Sequence, residues 1–144
     1  RSRPDLVFVM LGTNDARFQI LQRRMEEFER DYASILTAFK SLPSRPKVYM
    51  MIPPPLYKDG IFTGMNQTIV NEVLPVVLRR IARSNGLPPP VDVSAAFREH
   101  CPDLSSASCP WIGDGCHPTG EGLAAIAWTI ADVVRGAAEP GRAG

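Results

Sequence analysis

The amino-acid sequence predicts an α/β fold, in which a parallel sheet is covered by helices on both faces. Two observations predict it. Apolar runs that do not alternate with polar residues occur at 6–11 and 47–52, as expected for strands buried on both faces. Segments with apolar residues at helical spacing follow these runs. A βαβ series of this kind places the strands parallel and positions ligands beyond their carboxyl ends.

Glycine and proline set the ends of the predicted strands. The first strand ends at Gly12, and the second, Lys47–Ile52, is followed by three prolines at 53–55. A weaker strand at 91–93 comes directly after a second run of three prolines. Proline interrupts strands because it has no backbone N–H to donate to the sheet.

Three longer segments have the apolar spacing of helices, at 21–39, 69–81 and 123–134, and a short helix is expected after the third strand. We expect Asn66 to cap the second long helix and Pro75 to bend it.

The composition indicates one ordinary globular domain. The 144 residues are 44% hydrophobic and 22% charged, with a net charge of +1. We expect a domain over 1–138 and a frayed tail over 139–144. The near-neutral charge argues against nucleic-acid or anionic-membrane partners, and no apolar run reaches the ~20 residues of a membrane span.

Two short motifs occupy positions where such a fold binds ligands. The first is Gly12-Thr13-Asn14-Asp15, directly after the first strand. Gly12 permits a sharp turn, and the Asn14 amide is the type of donor that stabilises an oxyanion. The alternative is an Asn-Asp turn that caps the next helix.

The second motif is Asp114-Gly115-Cys116-His117-Pro118, just before the last helix. A histidine takes and returns protons near neutral pH, and a nearby carboxylate fixes its tautomer. The alternative is a surface turn with a helix cap. His100, the other histidine, is interpreted as a solvated residue.

Together the two motifs resemble the third and fifth conserved blocks of the SGNH (GDSL-type) hydrolases. Pro4-Asp5 before the first strand, the prolines after the second, and the Gly and Ala residues of the last helix add to the resemblance, which covers Pro4 to about Arg135. Within the family, the sequence is most similar to the sialate O-acetylesterase-like branch.

The resemblance implies a three-layer, flavodoxin-like domain that hydrolyses acyl esters of small molecules, carbohydrates or lipids, with no cofactor and no metal. It assigns His117 as the general base, Asp114 as its orienting partner and Asn14 as an oxyanion donor, with Gly12 and Asp15 supporting the Asn14 loop. The segment 53–64 is expected to form one wall of the pocket. Its candidate substrate contacts are Tyr57, Ile61 and Phe62, although Tyr57 equally fits a loop anchor.

The nucleophile of that family is a serine in an N-terminal Gly-Asp-Ser block, which this sequence does not contain. None of its nine serines follows a predicted buried strand in such a setting. We therefore expect the chain to represent the third strand of the family's fold onward, without the first two strands. A non-catalytic binding module or an inactive fragment is the alternative. A flavodoxin-like nucleotide binder is disfavoured because no Gly-rich phosphate loop is present.

Three cysteines lie close together in the sequence, at 101, 109 and 116. A Cys101–Cys109 disulfide, which would fit an exported protein, and free thiols in a reducing compartment are both open interpretations. A zinc site is less favoured because the close Cys-x-x-Cys pair is missing.

Overall fold

The computed structural model describes residues 3–17, 20–59, 64–105 and 109–138. Its sheet has three parallel strands in the order β1-β2-β3, with β1 at Leu6–Val9, β2 at Lys47–Ile52 and β3 at Val91–Asp92. The predicted parallel α/β fold is therefore confirmed.

The helices alternate with the strands. After β1 come a short helix α1 and a long helix α2, and after β2 a π-helical turn runs directly into α3. A short helix α4 follows β3 at once, and α5 closes the described chain. Their bounds are Ile20–Arg23 for α1, Met25–Lys40 for α2, Ile69–Val73 for the π-helical turn, Leu74–Ser84 for α3, Val93–His100 for α4 and Gly120–Ala138 for α5.

The side chains of the strands alternate between two hydrophobic clusters, because successive residues of a strand point to opposite faces. Val9 and Met50 belong to the cluster beneath α2 and α3, which also contains Leu36 and Leu78. Met51 belongs to the cluster that packs against α4 and α5, and Phe8 and Met10 pack against it. The sheet is thus the middle of three layers.

The first strand differs from its sequence pattern in length and in position, since β1 ends at Val9 and not at Leu11 and lies at the edge of the described sheet. The unbroken apolar sequence of β1 is typical of a central strand. In the described sheet, however, β1 is an edge strand that pairs with β2 alone, and Leu6, Val7 and Phe8 are only half-buried.

The helices also deviate locally from their sequence pattern. The first predicted helix is divided at Arg24, and Pro75 lies in the first turn of α3, where a missing N–H is tolerated, directly after the π-helical turn. Asn66 accepts a hydrogen bond from Ile69 N at 3.0 Å, so it caps the start of this segment as predicted. The proposed tail, 139–144, lies outside the described residues.

Candidate active site

Asn14 lies on a tight turn at the carboxyl end of β1. Residues 12–15 form a β-turn in which Asp15 N donates to Gly12 O at 3.1 Å, and Ala16 N donates to the same oxygen at 3.1 Å. Asn14 and Asp15 are exposed, and neither side chain hydrogen-bonds to another residue of the described chain. The helix-capping alternative therefore finds no support in the described part of the chain.

Glycine is required at position 12 for two reasons. Its φ of +117° is strained for any residue that carries a side chain. A Cβ atom there would also lie 2.8 Å from Leu74 Cδ1 and 3.2 Å from Phe28 Cζ, closer than van der Waals contact. The turn is therefore seated directly on the side chains of α2 and α3.

Asp114 and His117 form the pair expected from their spacing. The Asp114 Oδ2 atom lies 2.7 Å from His117 Nδ1. The other carboxylate oxygen, Oδ1, accepts backbone hydrogen bonds from Cys116 N at 2.9 Å and His117 N at 2.7 Å. These bonds hold the carboxylate fixed relative to the imidazole ring. With its proton on Nδ1, facing the carboxylate, the ring presents Nε2 as its basic nitrogen.

The same contacts keep Asp114 ionised. The backbone hydrogen bond from His117, followed by the side-chain bond, lowers the pKa of Asp114 to about 2. Because the folded pKa is depressed, its contribution to stability is fully present above the ordinary carboxyl pKa and is lost as pH falls toward 2. Asp114 is 43% exposed, so solvent screening keeps that contribution small.

The loop that carries this pair is attached to the segment after β2. Tyr57 N donates to Gly115 O at 2.8 Å, and Gly115 has a φ of +90°, which favours glycine. Because β1 and β2 are parallel neighbours, the Asn14 turn and the loop bearing His117 both lie beyond the carboxyl edge of the sheet. This is the edge at which the sequence predicts the site.

Tyr57 has the burial and hydrogen bonds of a loop anchor, the alternative interpretation of this residue given above, and not those of a substrate contact. Its side chain is 1% exposed, and its hydroxyl lies 3.2 Å from Phe97 O and 3.0 Å from Cys101 O, both of which are acceptors. Burial raises the pKa of Tyr57. A side chain enclosed in this way cannot touch a substrate. The other two predicted contacts, Ile61 and Phe62, lie outside the described residues.

Asn71 is a supporting residue that the sequence analysis missed. Its buried carboxamide accepts from Leu56 N at 2.8 Å and donates to Leu56 O at 2.9 Å, as a neighbouring strand would. Gln67 Nε2 also donates to Leu56 O, at 3.0 Å. The sequence signal is an asparagine among the apolar residues of 69–74, and the structure shows that this asparagine is buried.

Cys101 and Cys109 form a disulfide with a Cα–Cα distance of 5.6 Å, which decides between the open interpretations of the cysteines. It also removes both as zinc ligands, and no group of three metal-binding side chains occurs within the described residues. Cys116 is a half-buried free thiol, and burial, followed by the charge of Asp114, raises its pKa.

His100 is exposed, as predicted for a solvated residue, but its ring also stacks on Trp111 with 3.9 Å between ring centroids. It therefore has a packing role on the surface.

The described structure is a three-layer α/β fold with an Asp–His pair and an asparagine turn beyond one edge of its sheet. Residues 1–125 match the GDSL-like lipase/acylhydrolase family. The chain belongs to this family, whose members are ester hydrolases.

A similar structure supports the fold. The chain resembles the crystal structure of a candidate acylhydrolase from Bacteroides fragilis NCTC 9343, with a TM-score of 0.66 and 20% identity. The match covers 94% of this chain, which spans 64% of the length of that structure. No curated protein sequence matches the chain. Among the described helices, none is long and apolar enough to cross a membrane.

Proposed function

We propose that these residues serve a serine ester hydrolase, with His117 as general base, Asp114 as its orienting partner and Asn14 as an oxyanion donor. The observation that carries the proposal is the 2.7 Å contact between Asp114 Oδ2 and His117 Nδ1, supported by family membership. We assign the nucleophilic serine to polypeptide outside these 144 residues.

In this mechanism the serine hydroxyl attacks the ester carbonyl carbon and its proton passes to His117 Nε2. Negative charge develops on the carbonyl oxygen, and this oxygen accepts a hydrogen bond from the Asn14 amide. The intermediate then expels the alcohol, which takes the proton from His117. Water attacks the acyl-serine and gives a proton to His117. The bond from the acyl carbon to the serine oxygen then breaks, the serine oxygen takes the proton from His117, and the carboxylic acid is released. Asp114 stays ionised throughout and stabilises the imidazolium.

The test uses the full-length natural protein and p-nitrophenyl acetate, since the resemblance to the sialate O-acetylesterase-like branch makes acetyl esters the first substrates to examine. We expect His117→Ala to lower kcat/KM by at least about 10³-fold and Asp114→Asn by about 10²–10⁴-fold. Asn14→Ala is expected to lower kcat by about 10²–10³-fold, because one oxyanion donor is lost.

Two matched controls separate catalysis from folding. His100→Ala removes the other exposed histidine, and Asp132→Asn removes an exposed aspartate that, like Asp114, pairs with a residue three positions later. Both controls should retain activity. A folded wild-type protein that hydrolyses no ester, with His117→Ala no different from it, would contradict the proposal and favour a non-catalytic binding module.

A further inference from the structure

A groove of about 730 Å³ lies between helix α3 and the segment 87–90, which leads into β3. The strand order β1-β2-β3 places this groove at the opposite edge of the sheet from β1. Strands that extend the sheet from β1 would therefore not cover it. No residue that lines the groove belongs to the Asn14 turn or to the loop bearing His117, so the groove is separate from the candidate active site.

The lining of the groove is partly apolar and is held in place by the chain itself. Val76 is 60% exposed on α3, and Leu87 is half-buried in the turn after this helix. Leu87 N donates to Ala82 O at 2.9 Å, which fixes the turn against the helix. Pro89 and Pro90 form the rest of the wall, and their fixed φ angles make it stiff. A preformed groove of this kind loses little conformational entropy when a ligand binds.

Three exposed arginines of α3 line the same groove, at 79, 80 and 83. Two of them are held by single carboxylate contacts. Arg79 Nη2 lies 2.8 Å from Asp92 Oδ2, and Arg80 pairs with Glu29 of α2. A guanidinium carries several N–H donors, so one contact orients the group and leaves donors for a ligand.

The positive charge of the groove is not fully compensated. Arg83 makes no ion pair within the described residues. Lys40 Nζ donates to Asn85 O at 3.0 Å, which places a second uncompensated cation beside the end of α3. Glu72, one turn before Val76, lines a neighbouring pocket and not this groove. Because the two ion pairs are neutral, Arg83 and Lys40 give the groove a positive surplus.

We propose that this groove binds an acidic segment of a partner protein, in which glutamate or aspartate alternates with aliphatic residues. The carboxylates accept hydrogen bonds from the arginines, whose planar guanidinium groups match carboxylate geometry. The aliphatic side chains pack on Val76 and Leu87, which the phosphodiester backbone of a nucleic acid has no group to do. The concave shape does not fit the flat surface of a bilayer. The site is independent of ester hydrolysis.

The test measures the dissociation constant of the full-length protein for a fluorescent peptide of alternating glutamate and leucine, by fluorescence anisotropy. The reference is the same peptide with glutamine in place of glutamate. We expect the wild type to bind the glutamate peptide at least about tenfold more tightly, because several carboxylate–cation contacts add up. Raising the NaCl concentration from about 0.1 M to about 1 M should remove most of this preference, because salt screens exposed charges.

Three variants locate the binding site. Arg83→Glu reverses the charge of the unpaired arginine and should weaken binding of the glutamate peptide by about fivefold or more. Its control is Arg23→Glu, since Arg23 is likewise an exposed basic residue in the last turn of a helix, without an ion pair in the described chain. This control should leave the dissociation constant unchanged. Val76→Lys adds a cation to the groove and should strengthen binding about twofold, a gain that loss of folding cannot produce.

Several outcomes would overturn the inference. It is wrong if the wild type binds neither peptide, binds both equally, or loses as much affinity in Arg23→Glu as in Arg83→Glu. If the wild type is a dimer in sedimentation and Arg83→Glu dissociates it, a second copy of the chain occupies the groove. If a DNA duplex or phosphatidylserine vesicles bind more tightly than the peptide and Arg83→Glu abolishes that binding, the partner belongs to another class. Ester hydrolysis is measured separately, so the proposed function does not depend on these results.

Discussion

The single residue that most constrains the geometry of the site is Gly12, because it combines a positive φ with close contact to the core. Gly12→Ala would add a Cβ 2.8 Å from Leu74 Cδ1 at a φ of +117°. We expect the free energy of unfolding to fall by about 2–3 kcal/mol, from backbone strain and overpacking together. Urea denaturation measures this difference.

Gly136→Ala is the matched control for that prediction. Gly136 lies in α5, where an added Cβ meets nothing within 4 Å. Alanine there should be neutral or stabilise the protein by up to about 1 kcal/mol, because it has the higher helix propensity. Equal effects of the two substitutions would contradict the seating of the turn on Leu74.

At this scale the sequence predicts local pairs well and tertiary partners poorly. Asp114 and His117 are three residues apart on a glycine-containing loop, so their contact is inferable from spacing alone. Tyr57 is ambiguous, because whether an aromatic side chain anchors a loop or faces a ligand depends on Phe97 and Cys101, distant in sequence. No local pattern encodes that choice.

Among the elements, the segment that follows β2 is held by the buried carboxamide of Asn71 in the π-helical turn, together with Gln67. Asn71→Leu removes the acceptor of Leu56 N, a buried donor, while Leu56 O keeps its bond from Gln67. We expect the free energy of unfolding to fall by about 1–3 kcal/mol, the cost of an unsatisfied buried group. Urea denaturation is again the measurement.

The control is Asn85→Leu at the end of α3, where the carboxamide donates to Ile81 O from a half-buried position. Asn85→Leu should lower the free energy of unfolding by less than about 1 kcal/mol, because water can hydrogen-bond to Ile81 O in place of the carboxamide. If Asn71→Leu were no more costly than this control, the support of the β2 segment by Asn71 would be disproved.

The bounds of a strand or helix are predictable when residues next to it in the sequence determine where it begins and ends. The bounds of β2, Lys47–Ile52, are predicted residue for residue because prolines stand on both sides of the strand. The third strand is predicted one residue too long, since Asp92 accepts a hydrogen bond from Ala95 N and so starts α4 at Val93. The break between α1 and α2 at Arg24 is not predicted, because the helical spacing of apolar residues continues through it from Leu21 to Met25.

On the scale of the whole molecule, the position of the His117 loop depends on how the second hydrophobic cluster is held together. Cys109 and Phe97 belong to this cluster, and Cys101 packs against it at the end of α4. The disulfide therefore joins α4 to the segment that leads into the loop bearing Asp114 and His117. Ile112 N donates to Cys109 O at 3.0 Å and continues this connection.

Reduction of the disulfide is expected to destabilise the protein without changing its fold. The bond closes a short loop, with a sequence separation of 8, and restricts the unfolded chain by about 2–3 kcal/mol. A reductant should lower the free energy of unfolding of the wild type, measured in urea, by that amount.

The Cys101→Ala/Cys109→Ala double variant should be equally destabilised and insensitive to the reductant. Cys116→Ala, which removes only the free thiol, should respond to the reductant as the wild type does. If reduction left the wild type unchanged, the Cys101–Cys109 bond would not be what holds α4 to the His117 loop, and packing around Phe97 would have to hold it alone.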